Sequence, residues 1–322
     1  MRHVTVTRHG GPEVLDLVEG PEPTPGHGEV LVRVSTVGVN YIDTYFREGA
    51  YATELPYTPG SEGAGVVEAL GPGARGLAVG DRVAWCQVPG SYAEYVAGPV
   101  ERFVPVEVGI DDHVAASVLL QGLTAHYLVT DTHRARPGDP VLVTAGAGGV
   151  GQLLVQLAVE RGFRVVTTTS TPEKAAVCRA LGAEHVLSYD EATPDRVREL
   201  TGGGVATVFD GVGRYTFDAG LASLRPRGSM VLFGAASGPV PPIDPQRLNS
   251  AGSLFLTRPT LAHYIATTEE FRERSDEVLG EVADGSLRLT VGATFPLSRA
   301  GDAHRALESR GTTGSVTLDP GA

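Results

Sequence analysis

The clearest chemistry in the sequence sits in one short string, Gly146-Ala147-Gly148-Gly149-Val150-Gly151, with glycine at its first, third and sixth positions. In a chain with 42 glycines such a string means little by itself. Here it follows the apolar run Val141-Leu142-Val143-Thr144-Ala145 and opens a segment with Val150, Leu153, Leu154, Leu157 and Ala158 at helical spacing. Strand, glycine turn and helix in that order make a seat for a pyrophosphate. The first glycine would permit the tight turn, the second a close backbone approach, and the third close packing of helix on strand. The free N–H groups and positive end of the helix would face the phosphates. A glycine-rich turn without a ligand is the plainer alternative, and the strands and helices around it weigh against that.

A second feature lies downstream. About 20 residues after such a motif an acid usually takes the ribose 2′-hydroxyl of NAD. This chain has Thr168-Thr169-Ser170-Thr171 there, with no acid, followed by Lys174, its single lysine. Hydroxyls and an ammonium suit a 2′-phosphate, which a carboxylate would repel. Glu173 is adjacent, but successive residues on a helix do not share a face. The pattern favours NADPH over NADH, against the plainer reading of Lys174 as an ordinary solvated lysine.

These residues need a scaffold. From about residue 122, strands at 141–145, 164–168, 184–189, 205–209, 229–233 and 253–256 alternate with helices at 150–161, 172–181 and from Thr193-Pro194. That alternation predicts a doubly wound parallel sheet. Thr171-Pro172 and Thr193-Pro194 read as N-caps with proline at the first helical position. Upstream, short strands such as 29–34, 65–70 and 80–84, punctuated by Gly and Pro, predict a partly open barrel or compact all-β module. The tail after about 258 (helix 267–284, strand 287–295, helix 299–309, strand 315–318) is short, so it is expected to complete the first module. The expected division is therefore residues 1–122 with 265–322, and 123–264 for the dinucleotide.

Composition narrows the function. With 26 basic against 38 acidic residues the net charge is −12, which disfavours nucleic acid and anionic membrane as partners. No apolar run reaches about 18 residues, so no membrane span is expected. The start, Met1-Arg2-His3-Val4-Thr5-Val6, lacks the apolar run of a signal peptide, which points to a cytoplasmic protein. Cys86 and Cys178 are too few for a disulfide framework or a four-thiolate zinc site, and both are read as buried or incidental thiols. None of the 9 histidines stands at metal-motif spacing, and His126 and His133 are expected on helix surfaces. No metal is predicted.

Further stretches carry a resemblance. They are Val37-Gly38-Val39-Asn40-Tyr41-Ile42-Asp43-Thr44-Tyr45, Tyr57-Thr58-Pro59-Gly60-Ser61-Glu62-Gly63-Ala64-Gly65, Ser91-Tyr92-Ala93-Glu94-Tyr95 and Gln121-Gly122-Leu123-Thr124-Ala125. Beyond the glycine motif come Phe233-Gly234, residues 252–259, and Ser309-Arg310 with Gly314-Ser315. With these the chain resembles the NADPH:quinone oxidoreductases, the zeta-crystallin-like branch of the medium-chain dehydrogenase/reductase superfamily. The resemblance implies a GroES-like, mainly β catalytic domain, a Rossmann domain inserted into it, a cofactor in the cleft between them, and a homodimer. It implies NADPH-dependent reduction of quinones. Zinc-dependent relatives hold a catalytic metal through cysteine, histidine and an acid, whereas here Asn40 and Ser61 stand at two of those positions and Glu62 alone remains. Hydride addition to a quinone gives a delocalised phenolate, so a Lewis acid is less needed than for an alcohol.

By the same resemblance Asn40, Tyr45 and Tyr51 are expected near nicotinamide and substrate, and Tyr41 in packing. Thr124 would begin or line a helix near the nicotinamide ribose, and Ser170, Lys174 and Tyr189 would surround the 2′-phosphate. Phe233-Gly234 and Phe255-Leu256 are expected to end strands at the carboxyl edge of the sheet, where such folds bind ligands. Asp210, also at a strand end, stays open between a site role and a turn role. An NADPH-dependent enone or enal reductase on the same scaffold is the alternative. A NADPH-binding structural or RNA-binding protein is a third reading, opposed by the acidic charge.

Overall fold

In the computed structural model, which describes residues 1–322, the apolar runs of the second half pair into one sheet. The chain divides into two units, Met1–Leu123 with Ile265–Ala322, and Thr124–Tyr264.

The second unit is built on a six-stranded sheet in the order His185–Ser188, Arg164–Thr169, Pro140–Val143, Val205–Asp210, Leu224–Leu232, Phe255–Thr257. Every neighbouring pair is parallel. The first strand in the chain lies in the middle, and the connections run outward from it in both directions. Strand order therefore reverses between Pro140–Val143 and Val205–Asp210, the place where open α/β sheets leave a crevice. Helices Pro172–Ala180 and Pro194–Thr201 are capped by Thr171 and Thr193, whose hydroxyls accept the N–H of Lys174 and Arg196. Two expected strand ends move. Gly252 and Ser253 turn with φ of 114° and 55°, so the last strand begins at Phe255. Phe255 and Leu256 therefore open a three-residue edge strand, and they do not end one at the carboxyl edge.

The first unit carries a mainly antiparallel sheet, in the order Val291–Pro296, Ser315–Asp319, Glu29–Val39, Glu62–Leu70, Arg82–Cys86, Phe103–Pro105, with Tyr95–Pro99 also on Glu29–Val39. The C-terminal strand Ser315–Asp319 pairs directly with Glu29–Val39, which makes the tail part of this unit. Its core gathers Val30, Val32, Val34, Val37, Val39, Trp85, Tyr92 and Phe103 with Leu297, Ala303 and Val316. Trp85 is wholly buried and still satisfied, because Nε1 donates to Ser91 Oγ at 2.9 Å.

The element least visible in the sequence is the helix Asp112–Asp131, which crosses the boundary between the two units. From Ala115 to Val129 it is buried almost without interruption. An amphipathic stripe is absent because there is no solvent face to make one. Two histidine expectations change with it. His126 lies on this helix and is buried, not on a surface. His133 lies beyond the helix end, half-buried, and its Nε2 donates to Val129 O at 2.8 Å, closing one of the last carbonyls. No helix is long and apolar enough to cross a membrane.

Candidate functional site

In the second unit the glycine string forms the turn between Pro140–Val143 and the helix Gly149–Glu160. The turn's left-handed residue is Ala145 with φ of 55°, whereas Gly146 has no such angle. Gly146 answers a different need: a Cβ there would collide with Thr167 Oγ1 and lie 3.2 Å from Cys178 Sγ. Glycine here lets the neighbouring strand come close, and the sharp bend sits one residue earlier. At Gly151 a Cβ would strike Ala145 O and stand 2.8 Å from the Gly146 Cα, so the helix packs directly on its own approach. Gly148 caps the helix without a side chain, and a Cβ there would meet only Ala145 O, at 3.3 Å. Gly148, Gly149 and Val150 are half-buried, and no side chain caps the helix. Such a cradle fits a bound phosphate.

Two side chains hold this turn: Gln152, which sequence reading passed over, and Thr168, one of the hydroxyls expected near the 2′-phosphate and here buried. Gln152 Nε2 donates to Ala147 O at 3.1 Å, and Thr168 Oγ1 accepts the Ala145 N–H at 3.2 Å. Asp210 takes the turn role. Its Oδ1 accepts from Thr144 Oγ1 (3.0 Å), Thr216 Oγ1 (2.7 Å) and the N–H of Val212 (2.9 Å) and Gly213 (3.2 Å). Burial pushes its carboxyl up, and these bonds pull it back. Phe233 and Gly234 follow the end of Leu224–Leu232, and both donate N–H to Asp210 O. A Cβ on Gly211 would lie 2.8 Å from the Phe233 ring, so these two turns sit close together.

Next along the carboxyl edge, Ser170 is exposed after Arg164–Thr169, and Lys174 is half-buried in the first turn of Pro172–Ala180. Tyr189 follows His185–Ser188 and packs edge-on to Tyr215, ring centroids 6.2 Å apart. Thr124 is buried inside the helix Asp112–Asp131, which it lines and does not begin.

In the first unit Asn40 caps the helix Tyr41–Glu48, and its N–H donates to Asp43 Oδ2 at 2.9 Å. Its side-chain amide is clamped. Nδ2 donates to Glu62 Oε2 at 2.6 Å, and Oδ1 accepts from Gln121 Nε2 at 3.2 Å. Tyr45 and Tyr51 stand together with ring centroids 5.2 Å apart, and Tyr41 joins Tyr45 at 5.6 Å. The rings of half-buried Tyr45 and exposed Tyr51 meet edge-on at 60°, so they form an angled aromatic corner. Glu62 is wholly buried, and burial pushes its carboxyl up to about 8. Sequence reading considered Glu62 only as the remnant of a metal site. The visible signal was an acid immediately before the small, apolar run Gly63-Ala64-Gly65-Val66. No group of three or more His, Cys, Asp or Glu side chains could hold a metal ion.

Comparison with known proteins adds the following. Residues 26–108 match the alcohol dehydrogenase GroES-like domain, and residues 149–280 match the family described as zinc-binding dehydrogenase. The chain is 42% identical over 323 residues to a quinone oxidoreductase of Pseudomonas aeruginosa, covering 99% of each. It is 40% identical to a 2-haloacrylate reductase of a Burkholderia species, covering 98% of each. A mycobacterial protein solved in complex with NADPH superposes with a TM-score of 0.96 at 51% identity, covering 99% of this chain and 100% of that one.

Proposed function

Because the chain belongs to the quinone oxidoreductase family of the medium-chain dehydrogenase/reductase superfamily, we propose that it reduces quinones with NADPH. The observation that carries this is the half-buried phosphate cradle at Gly148, Gly149 and Val150, which no side chain caps, with hydroxyls and a lysine one strand away. When bound there, NADPH would supply hydride to the acceptor. The chain's own part is to hold and orient. Gly146 and Gly151 let the backbone close in, the first-turn N–H groups take the pyrophosphate, and Ser170, Lys174 and Tyr189 surround the 2′-phosphate. Asn40 donates from Nδ2 to a carbonyl oxygen of the acceptor, and Tyr45 and Tyr51 flank its flat ring. Neither Asn40 nor Ser61 is a zinc donor, and a carboxamide polarising a quinone carbonyl is sufficient where the product anion is delocalised.

The expected result is steady NADPH oxidation with small quinones at a rate unchanged by a zinc chelator. Turnover of activated alkenes with no activity on any quinone would favour the second reading, a carbon–carbon double-bond reductase, which the likeness to the 2-haloacrylate reductase supports.

We further infer a homodimer. The edge strand Phe255–Thr257 has one unpaired side and exposes Phe255 (43%) and Leu256 (37%), an apolar edge that a second copy would cover. Sedimentation should find a dimer for the wild-type chain and a monomer for Leu256→Asp; a wild-type monomer at micromolar concentration removes this inference.

A further inference from the structure

The clamp on Asn40 is part of a longer chain of bonds. Gln121 Oε1 accepts from Ser315 Oγ at 2.6 Å, Gln121 Nε2 donates to Asn40 Oδ1, and Asn40 Nδ2 donates to Glu62 Oε2. Glu62 Oε1 accepts the Leu120 N–H at 2.7 Å. Asn40, Glu62, Gln121 and Ser315 are all buried, at 5%, 0%, 5% and 1% exposure, so the chain of bonds is shut off from bulk solvent. Every donor in this chain points toward Glu62, because an ionised carboxylate only accepts. A proton on Glu62 supplies a donor at that end. That donor is used within the same contacts when both amides make a half-turn, exchanging N and O, and Ser315 Oγ becomes the acceptor. Two complete patterns of opposite sense therefore fit one set of heavy-atom positions. They differ at the Asn40 atom beside Glu62, which has a spare N–H in one pattern and a lone pair in the other.

We propose that Glu62 is a positioning residue for quinone reduction, acting through the Asn40 amide, and that its ionised form turns the spare N–H of Asn40 toward the acceptor's carbonyl oxygen. This rests on the reading of Asn40 given above. Burial is the largest influence on Glu62 and pushes its carboxyl up to about 8, so both forms are populated in the pH range of an assay. The groups facing Glu62 are few. Asp43, on Tyr41–Glu48, is raised to about 6 by its own burial and raises Glu62 further. The Cys86 thiol, opposite on the paired strand, is pushed well above its ordinary range by burial and by Glu62. The helix Asp112–Asp131 contributes backbone N–H of Leu119 and Leu120, and Ser315–Asp319 contributes the Ser315 hydroxyl through Gln121. Above about pH 7 Glu62 is the member of this set that changes charge.

The experiment is the pH dependence of kcat at saturating NADPH and a small quinone, for wild type, Glu62→Gln and Asn40→Ala. A glutamine at 62 has to donate to Asn40 Oδ1 while its own oxygen keeps the Leu120 N–H, which locks the inverted pattern. Wild-type kcat should rise about tenfold between about pH 6.5 and about pH 8.5, one charge-assisted hydrogen bond gained in the transition state. Glu62→Gln should stay at the low value with a level profile, with KM for NADPH and Tm not worse than wild type. Glu62→Gln with wild-type kcat, or a slow Glu62→Gln that keeps the wild-type slope, overturns the proposal while a slow Asn40→Ala leaves the reading of Asn40 standing. Asn40→Ala at wild-type speed overturns that reading itself. If Glu62→Gln does not fold, a level wild-type profile is by itself enough to overturn the proposal.

Discussion

Lys174→Glu is expected to weaken NADPH binding by roughly 30- to 150-fold and to leave NADH binding nearly unchanged. Lys174 is half-buried at the third position of Pro172–Ala180, where the Thr171 hydroxyl accepts its backbone N–H at 3.3 Å. The backbone is thereby fixed by the cap, and the substitution changes the side chain without disturbing the helix. An ammonium against a phosphate contributes about 1.5–3 kcal/mol, and a carboxylate in its place adds repulsion, for a total of about 2–3 kcal/mol. NADH has no 2′-phosphate and loses none of this. Fluorescence titration of both dinucleotides on both proteins measures the ratio directly, and equal weakening of the two would take Lys174 out of the site. Lys174→Arg keeps the charge and should lose less than tenfold.

Arg47→Ala is expected to lower folding stability by about 3–5 kcal/mol, because it leaves buried partners of the guanidinium unpaired. Arg47 is wholly buried, yet its guanidinium is occupied all round. Nη2 bonds Glu308 Oε1 at 2.5 Å and Glu48 Oε1 at 2.7 Å, Nη1 donates to His304 Nδ1 at 3.0 Å, and Nε donates to Gly10 O at 3.0 Å. Because an arginine only donates, His304 Nδ1 must accept, so its proton is on Nε2, which donates to Tyr92 Oη at 2.9 Å. Tyr92 in turn donates to Asp43 Oδ2 at 3.0 Å. One side chain thus sets the direction of bonds from the C-terminal helix Ala300–Glu308 through the core to the helix that Asn40 caps. His304 is held down to about 3, first by burial and then by the Arg47 charge, so it stays neutral in this chain of bonds. Arg47→Met removes the charge but fills the space, so urea unfolding should find it less damaging than Arg47→Ala. Equal stability of Arg47→Ala and wild type would show that the buried network contributes nothing net.

The parts of the molecule legible in the sequence are those governed by local rules. The alternation from 141 to 257 gave a doubly wound sheet because each strand and helix there has its own apolar pattern. Thr171-Pro172 and Thr193-Pro194 marked real helix starts because capping is settled within four residues. The glycine string could be placed on a strand–turn–helix for the same reason. The helix Asp112–Asp131 stayed hidden, since burial on all sides erases the period that would announce it. Phe255 and Leu256 shifted to the start of their strand because a turn at Gly252 and Ser253 spends the intervening residues.

What the sequence determined alone, then, is the order of elements, the phosphate turn and the absence of two zinc donors at positions 40 and 61. What tertiary structure decided is which polar groups meet. Asn40, Glu62, Gln121 and Ser315 come from four separate stretches of the chain, and Arg47, Tyr92 and His304 from three. Each is a single polar letter in an apolar or mixed context, and apart from the acid before Gly63-Ala64-Gly65-Val66 nothing local distinguishes it from a surface residue. Their partners are chosen by the cost of burying an unsatisfied polar group, and that cost exists only once the sheets and helices have closed around them.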